Sequence, residues 1–277
     1  MKQKKSRLII GFMIIVIGLF AINYPLLSGV ISDFFSYKEI QGYKSDISAM
    51  SENELSETLE TAHKYNDALS SGGSLDEFRN FSLLKPGAML GYVEIPQINV
   101  YNTVRYSTDS EVLVQSLGLV EGSSLPVGGE GCHSVISGHT GMASKKMLTE
   151  LTEVQKGDIF FLHILGQDMA YCVDNISVVE PWDNSELSII EGSDYVTLLT
   201  CTPYGVNDHR LLVRGKRIEY DFNNQDLSDS NNTQRRYSNV ELLRYGILAL
   251  SAVILIGMII FAIISRKKKK GMTKNNE

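Results

Sequence analysis

Between residues 89 and 220 the chain consists of short β-rich runs separated by turn residues, and this pattern constrains the fold most strongly. The runs cover residues 91–95, 98–104, 134–136, 158–165, 169–173, 176–180, 195–200 and 211–220. Turn residues punctuate them at Pro96, Gly128, Gly129, Gly166, Asp174, Asn175 and Gly205. About eight short strands at this spacing predict a closed barrel or a sandwich. Residues 110–117 and 145–151 are predicted to form short helices between the strands.

An amphipathic helix is predicted before the strands, over residues 51–69. Ser51 with Glu54 three residues later is a capping-box pattern. Apolar residues then recur at helical spacing, at Leu55, Leu59, Ala62, Tyr65 and Leu69. Gly72 and Gly73 end the helix. Residues 33–50 are also predicted to be partly helical.

Apolar segments lie near both ends of the chain. Residues 245–264 contain no charged side chain, and five basic residues follow at 266–270. A helix of this length spans about 30 Å, the thickness of the hydrocarbon core of a bilayer. Residues 8–22 are apolar and follow four basic residues, which is typical of a signal anchor or of a signal-peptide core. The absence of a clear small-x-small cleavage site favours the anchor.

The basic flanks predict the topology. Because positive charges stay on the cytoplasmic side, both termini are expected there and residues 24–241 outside. A buried core helix at 245–264 is the alternative, and the following basic run disfavours it. Residues 1–7 carry +4 and residues 265–277 carry +5, so a total charge of −6 leaves −15 for the residues between. An acidic outer domain argues against a nucleic-acid partner.

A reactive cysteine is indicated by the odd count of three in an exported chain. The β-rich run that ends at Cys201 is followed by a turn-rich loop, and strand-like sequence resumes at Arg210. If these strands pair, the two side chains face each other with Cβ atoms about 5 Å apart. A guanidinium beside a thiol favours the thiolate, which is the nucleophilic form.

The best candidate for the proton-transfer partner is His139, because glycines at 138 and 141 leave its ring open to a cleft. The other histidines have structural interpretations. His63 lies on the predicted helix, His133 is interpreted as a strand cap, and His163 as a packed strand residue. The side chain of His209 is expected to point away from that of Arg210.

Residues 197–217 (TLLTCTPYGVNDHRLLVRGKR) resemble the active-site signature of sortases, in particular of the pilus-building class C enzymes. Residues 91–100 (GYVEIPQINV), 117–129 (LGLVEGSSLPVGG) and 133–139 (HSVISGH) resemble the same class in the same order. The similarity covers about residues 50–220, and two flanking membrane spans also fit this class.

The resemblance implies a cysteine transpeptidase with Cys201 as nucleophile and His139 as general acid and base. Arg210 would orient the substrate and stabilise the oxyanion. The implied acyl donor is an LPXTG-like sorting signal, and the acceptor is a pilin lysine or a cell-wall precursor amine. Neither a cofactor nor a metal is implied. Whether the resting pair is thiolate–imidazolium or neutral stays open.

A lid is also implied by the resemblance, since class C enzymes usually carry an Asp-Pro-aromatic motif before the barrel. The corresponding residues here are Asp76, Glu77 and Phe78. Glu77 replaces the proline, so we expect a lid that is present but more mobile. Asp76 is expected to reach Arg210, and Phe78 to reach Cys201.

Three residues are candidates for a substrate groove: Trp182, Tyr204 and Asn207. Cys132 and Cys172 are expected to be structural, with a disulfide between them as an alternative. His133 and His139 lack further ligands at suitable spacing, which argues against a metal site.

The sequence thus predicts a mainly β protein of the sortase type, with a closed eight-stranded barrel, an N-terminal helical arm and two flanking transmembrane helices. The predicted segments are a cytoplasmic basic segment (1–7), a membrane anchor (8–31), a helical arm with lid (32–86), the catalytic barrel (87–222), a polar linker (223–241), a transmembrane helix (242–264) and a basic tail (265–277). The catalytic domain is expected on the extracellular face of a Gram-positive-type membrane. Three rival functions stay open: cell-wall anchoring, hydrolysis by a cysteine protease, and a non-enzymatic pilin-binding scaffold.

Overall fold

The computed structural model describes residues 2–142, 145–222, 246, 249 and 251–257. Two compact units are present, one formed by residues 1–30 with 238–277, the other by residues 31–237. The predicted polar linker (223–241) and basic tail (265–277) lie outside the described residues, as does most of the segment 242–264.

The first unit is helical where it is described. Helix α1 runs from Lys2 to Ala49 and ends in the second unit. Within the first unit, the Ser251 hydroxyl donates a hydrogen bond of 3.0 Å to Asn23 Oδ1. Among the residues that the structure describes, no helix is both long enough and apolar enough to span a membrane. The two predicted transmembrane helices therefore find no support in the described residues.

The second unit contains a closed barrel of eight strands, which confirms the predicted fold class. The strands are β1 (Met89–Ile95), β2 (Val100–Tyr106), β3 (Leu117–Leu119), β4 (Cys132–Ser137), β5 (Ile159–Ile164), β6 (Gln167–Val179), β7 (Asp194–Thr202) and β8 (His209–Ile218). Their order around the barrel is β1-β2-β3-β4-β7-β8-β6-β5. Inward-facing apolar side chains fill it, among them Val93, Val104, Ile136, Leu162, Leu198 and Val213, each at most 1 % exposed. Burial of each such side chain contributes about 1.5–3 kcal/mol.

Two details differ from the predicted strands. Asp174 and Asn175 do not break the chain but form a bulge within the long strand β6, where pairing with β8 shifts by one residue. Strand β3 was missed because it has three residues and follows a helix, α3 (Ser110–Leu113), that is shorter than predicted. The predicted helix at 145–151 is instead a turn followed by a 3₁₀ helix at Leu151–Glu153.

The helical arm packs on the outside of the barrel. Helix α2 (Glu52–Ser70) begins at the predicted cap, where the Ser51 hydroxyl accepts from the Glu54 amide. Asn66 of α2 bonds the Leu125 backbone twice, donating to its carbonyl (2.9 Å) and accepting from its amide (2.7 Å). At the end of α1, the Tyr43 hydroxyl donates to the Leu90 carbonyl, and burial raises the pKa of Tyr43 to about 12.

Candidate active site

Cys201 and Arg210 face each other across two neighbouring strands. β7 and β8 pair antiparallel with Cys201 directly opposite Arg210. Directly opposite residues project to the same face of the sheet, with Cβ atoms about 5 Å apart. Both residues are half-buried, at the ends of strands that a short loop connects. The structure therefore sets a thiol and a guanidinium side by side at the mouth of the barrel.

The connecting loop turns tightly because of its backbone conformations. Gly205 has φ of +79° and Asn207 has φ of +61°, a region that glycine and asparagine tolerate best. The amides of Val206 and Asn207 both donate to the Pro203 carbonyl, at 3.1 and 2.9 Å. This compact turn returns the chain so that β8 begins beside the end of β7.

The Arg210 guanidinium is held by the backbone of its own loop. Its Nη1 donates to the carbonyls of His209 (3.0 Å) and Asn207 (3.3 Å). A guanidinium has five N–H donors. Among the described residues, both of these hydrogen bonds use Nη1, and neither uses the donors on Nε and Nη2.

His139 follows the end of β4, which pairs parallel with β7 up to Ser137 opposite Leu199. The Gly138 amide donates to the Leu199 carbonyl at 3.0 Å. A Cβ at Gly138 would lie 2.5 Å from the Leu117 side chain, so only glycine fits there. His139 is thus placed by contacts with the residues that immediately precede Cys201.

Two threonine hydroxyls strengthen this placement. Thr200 Oγ1 donates to the Gly138 carbonyl at 2.7 Å, and it lies 2.5 Å from Thr140 Oγ1. Since the Thr200 hydrogen is already used, Thr140 is the donor of the shared hydrogen bond. The residues on both sides of His139 are therefore bonded to the residue before Cys201. Sequence reasoning missed this pair, because nothing local in the sequence indicates that β4 and β7 are neighbours.

The three groove candidates are all exposed around this mouth. Tyr204 and Asn207 lie in the β7–β8 loop, and Tyr204 is 69 % exposed with its ring against Gly141. Trp182 follows β6 and is 77 % exposed. Their contact with a substrate stays a prediction.

The predicted lid residues have other partners than expected. Asp76 pairs with Arg79 (2.6 Å) rather than with Arg210, because both lie on one turn of a short 3₁₀ helix. Phe78 is only 5 % exposed and packs edge-on against Tyr65 of α2, with ring centroids 5.6 Å apart. In this structure Phe78 is part of the core that joins the arm to the barrel, and a lid function of this segment stays a prediction.

Cys132 and Cys172 do not form a disulfide, and Cys132 is more deeply buried than Cys201. All three cysteines are free, so no bond joins Cys132 to Cys172. Cys132 is buried, receives a hydrogen bond from Asn66 Nδ2, and has a pKa that burial raises to about 11. Such a thiol is a poor nucleophile at neutral pH.

His133 lies inside β4 rather than before it, because the strand begins at Cys132. Its Nδ1 lies 2.9 Å from the Ser188 carbonyl, which can only accept, so Nδ1 carries the proton. Nε2 lies 2.7 Å from the Thr197 hydroxyl, and burial lowers the pKa of the ring. The His133 ring therefore joins β4 to Ser188 and to Thr197 of β7, and it does not cap a strand.

Comparison with known proteins gives consistent matches. The family model of the sortase domain matches residues 93–218. Sortase C of Clostridium perfringens, solved with its C-terminal cell wall sorting motif, is 42 % identical with a TM-score of 0.64, over 66 % of this chain and 100 % of that one. Sortase C of Streptococcus pneumoniae is 43 % identical with a TM-score of 0.60, over 66 % and 97 %. Sortase A of Bacillus anthracis is 27 % identical over 52 % of this chain and 66 % of that protein.

Proposed function

This chain belongs to the sortase family of cysteine transpeptidases, and from that premise we propose that it joins LPXTG-like sorting signals to the lysine amine of a pilin. The observation that carries the proposal is the pairing of Cys201 with Arg210, beside a His139 segment bonded to Leu199 and Thr200. These contacts support the assignment of Cys201 as nucleophile, His139 as proton-transfer group and Arg210 as oxyanion donor.

In the first step the Cys201 thiolate attacks the scissile carbonyl carbon and forms a tetrahedral intermediate. Donors on Arg210 stabilise its oxygen, an effect worth about 3–4 kcal/mol for a well-placed donor. The carbon–nitrogen bond then breaks, and the leaving amine takes a proton from His139. The acyl group stays on Cys201 as a thioester.

In the second step an amine attacks the thioester carbonyl and loses a proton to His139. The carbon–sulfur bond breaks, Cys201 leaves as thiolate, and an amide joins the two substrates. An amine in place of water makes the reaction a transpeptidation. No cofactor takes part in either step.

The substrate class rests on the relatives. The C. perfringens structure contains a C-terminal cell wall sorting motif, and the S. pneumoniae structure is described in terms of pilin substrate specificity. In this chain, exposed Tyr204, Asn207 and Trp182 border the same mouth and would contact the signal. The class C relatives favour pilus assembly over wall anchoring.

We also propose that the enzyme is bound to a membrane by residues 8–31 and 242–264, with the barrel on the extracellular face. The basic residues that flank both segments support this topology. The hydrogen bond between Asn23 and Ser251 supports pairing of the two segments, since buried polar groups link helices in lipid.

The test uses the full chain in detergent, a sorting peptide, and a pilin-derived lysine peptide. We expect a peptide–peptide amide that depends on Cys201 and disappears in Cys201→Ala. Release of acid alone, unchanged by the acceptor, would instead identify a hydrolytic protease. Pilin polymerisation that persists in cells carrying Cys201→Ala would identify a scaffold. Loss of wall-linked proteins with intact pili in a deletion strain would favour wall anchoring.

A further inference from the structure

His209 lies next to Arg210 but on the other face of β8. Arg210 pairs with Cys201 across the strands, and His209 pairs with Thr202. Because neighbouring residues of a strand alternate between faces, the His209 ring does not face the thiol. A direct role in proton transfer is therefore excluded for this histidine.

The ring is held by two carboxylates from two different segments. Nδ1 lies 2.8 Å from Oδ1 of Asp208 in the β7–β8 loop. Nε2 lies 3.6 Å from Oε1 of Glu180, the residue that follows β6. The Glu180 contact is at ion-pair distance and is longer than a hydrogen bond. A second proton gives the ring a positive charge that attracts both carboxylates, so the arrangement fits an imidazolium. We call these three residues the His209 clamp.

The His209 clamp acts on the same backbone that holds the catalytic arginine. Nη1 of Arg210 donates to the His209 carbonyl at 3.0 Å. Val179, the residue before Glu180, is the β6 partner of Arg210. The clamp therefore joins the β7–β8 loop, which leads into Arg210, to the end of β6, which pairs with Arg210.

We propose that His209 is a positioning residue, whose protonated ring joins Glu180 to Asp208 and so fixes the carbonyl that orients the Arg210 guanidinium. The inference rests on the proposed role of Arg210 in transpeptidation. When the ring loses its second proton, one of the two carboxylate contacts is lost, and the strand ends are held less firmly.

The charges around the ring support this interpretation. The hydrogen bond with Asp208, with the nearby charge of Glu180, raises the pKa of His209 above its ordinary value. β7, on the other side, presents the uncharged Thr202. The clamp is therefore present at acidic to neutral pH and is lost as pH rises through the raised pKa of the ring.

The test compares the full chain with His209→Gln, which cannot be charged, and His209→Lys, which stays charged. The kcat/KM of transpeptidation is measured from about pH 5.5 to about pH 8.5, the range over which a histidine titrates. Ratios between variant and wild type cancel the titration of Cys201 and His139, which all three proteins share. His63→Gln, on α2, serves as the matched histidine control.

We expect His209→Gln to be about two- to fivefold slower than wild type at the acidic end, the range that partly exposed ion pairs support, and equal to it at the alkaline end. His209→Lys should match wild type at acidic pH and exceed it at alkaline pH. Glu180→Gln should lower the titration midpoint of the His209 ring, followed by NMR. Ratios that do not change with pH would overturn the clamp alone, whereas a wild type without transpeptidation would overturn the proposed function as well.

Discussion

The side-chain oxygens of Thr140 and Thr200 lie 2.5 Å apart, which joins the residue after His139 to the residue before Cys201. The Thr200 hydroxyl also donates to the Gly138 carbonyl and is 2 % exposed. Two hydrogen bonds thus fix the spacing between His139, the proposed proton-transfer group, and Cys201, the proposed nucleophile, without touching either side chain.

Thr200→Val should therefore lower kcat about tenfold to a hundredfold, because small displacements of reacting groups are costly. KM should change much less, since substrate binding does not use this hydroxyl. Thr200→Ser keeps the donor and should restore the rate. Thr140→Val, which removes the other hydroxyl, should have a similar but smaller effect.

The control for this series is Thr58→Val on α2, whose hydroxyl donates to the Glu54 carbonyl within the helix, away from the active site. Equal loss of rate in Thr200→Val and Thr200→Ser would contradict the positioning role and indicate a packing defect. Single-turnover formation of the thioester separates this effect from the second step.

The thiols of Cys132 and Cys201 should differ in their reactivity toward an alkylating reagent. With a pKa of about 11, only about one in a thousand Cys132 side chains is a thiolate at pH 8. The half-buried Cys201 should react with iodoacetamide first, and Cys132 only after unfolding. Peptide mass spectrometry of timed samples measures this order. Rapid labelling of Cys132 in the native protein would show that its site opens, and Cys201→Ala provides the reference.

How far the sequence predicts this site depends on how local each contact is. Cys201 and Arg210 lie on consecutive strands joined by a short loop, so their pairing follows from the hairpin pattern. The place of His139 depends on parallel pairing between β4 and β7, with more than fifty residues between them in the sequence. That neighbour relation comes from barrel closure, which no local pattern records. The family resemblance identified His139, and the residues alone made it only the best of five histidines.

The same distinction explains where the structure departs from local sequence patterns. Asp174 and Asn175 have turn chemistry, but pairing with β8 continues past them and turns the expected break into a bulge. Phe78 matches a lid motif and its ring packs against Tyr65 in the core, while a lid function of the segment stays a prediction. In both cases tertiary contacts outweigh a local preference.

Phe78→Ala should therefore reduce the free energy of unfolding by about 3–5 kcal/mol, as expected for a buried aromatic ring. Asp76→Asn should cost less than about 1 kcal/mol, because its ion pair with Arg79 is exposed. Urea unfolding followed by circular dichroism compares the two.

A lid that covers Cys201 makes a separate prediction for thiol access. Cys201 should then be labelled faster than in wild type in both variants and after removal of residues 74–80. Unchanged labelling of Cys201 together with a large loss of stability in Phe78→Ala would contradict the lid and support a structural role of this segment.

The buried His133 should make stability depend on pH. Burial lowers the pKa of its ring in the folded protein, so between that value and the ordinary one the unfolded chain binds more protons. The contribution of neutral His133 to the free energy of unfolding should therefore be fully present above the ordinary pKa of about 6.5. It should be lost progressively as pH decreases below that value. The contribution of one group to the slope cannot exceed about 1.4 kcal/mol per pH unit.

His133→Asn removes this titration while its amide can still donate toward the Ser188 carbonyl. The variant should be less stable than wild type at pH 8, because the bond with Thr197 is lost. The wild type also takes up a proton at His133 when it unfolds, which stabilises its unfolded state below about pH 6.5, so the difference in stability should shrink as pH falls. Urea midpoints at several pH values measure the difference, and carboxylates that titrate in both proteins cancel. If the urea midpoints of wild type and variant changed in parallel with pH, the folded protein would bind the second ring proton as readily as the unfolded chain does. The Ser188 carbonyl at Nδ1 and the donating Thr197 hydroxyl at Nε2 argue against this, because together they fit a neutral ring.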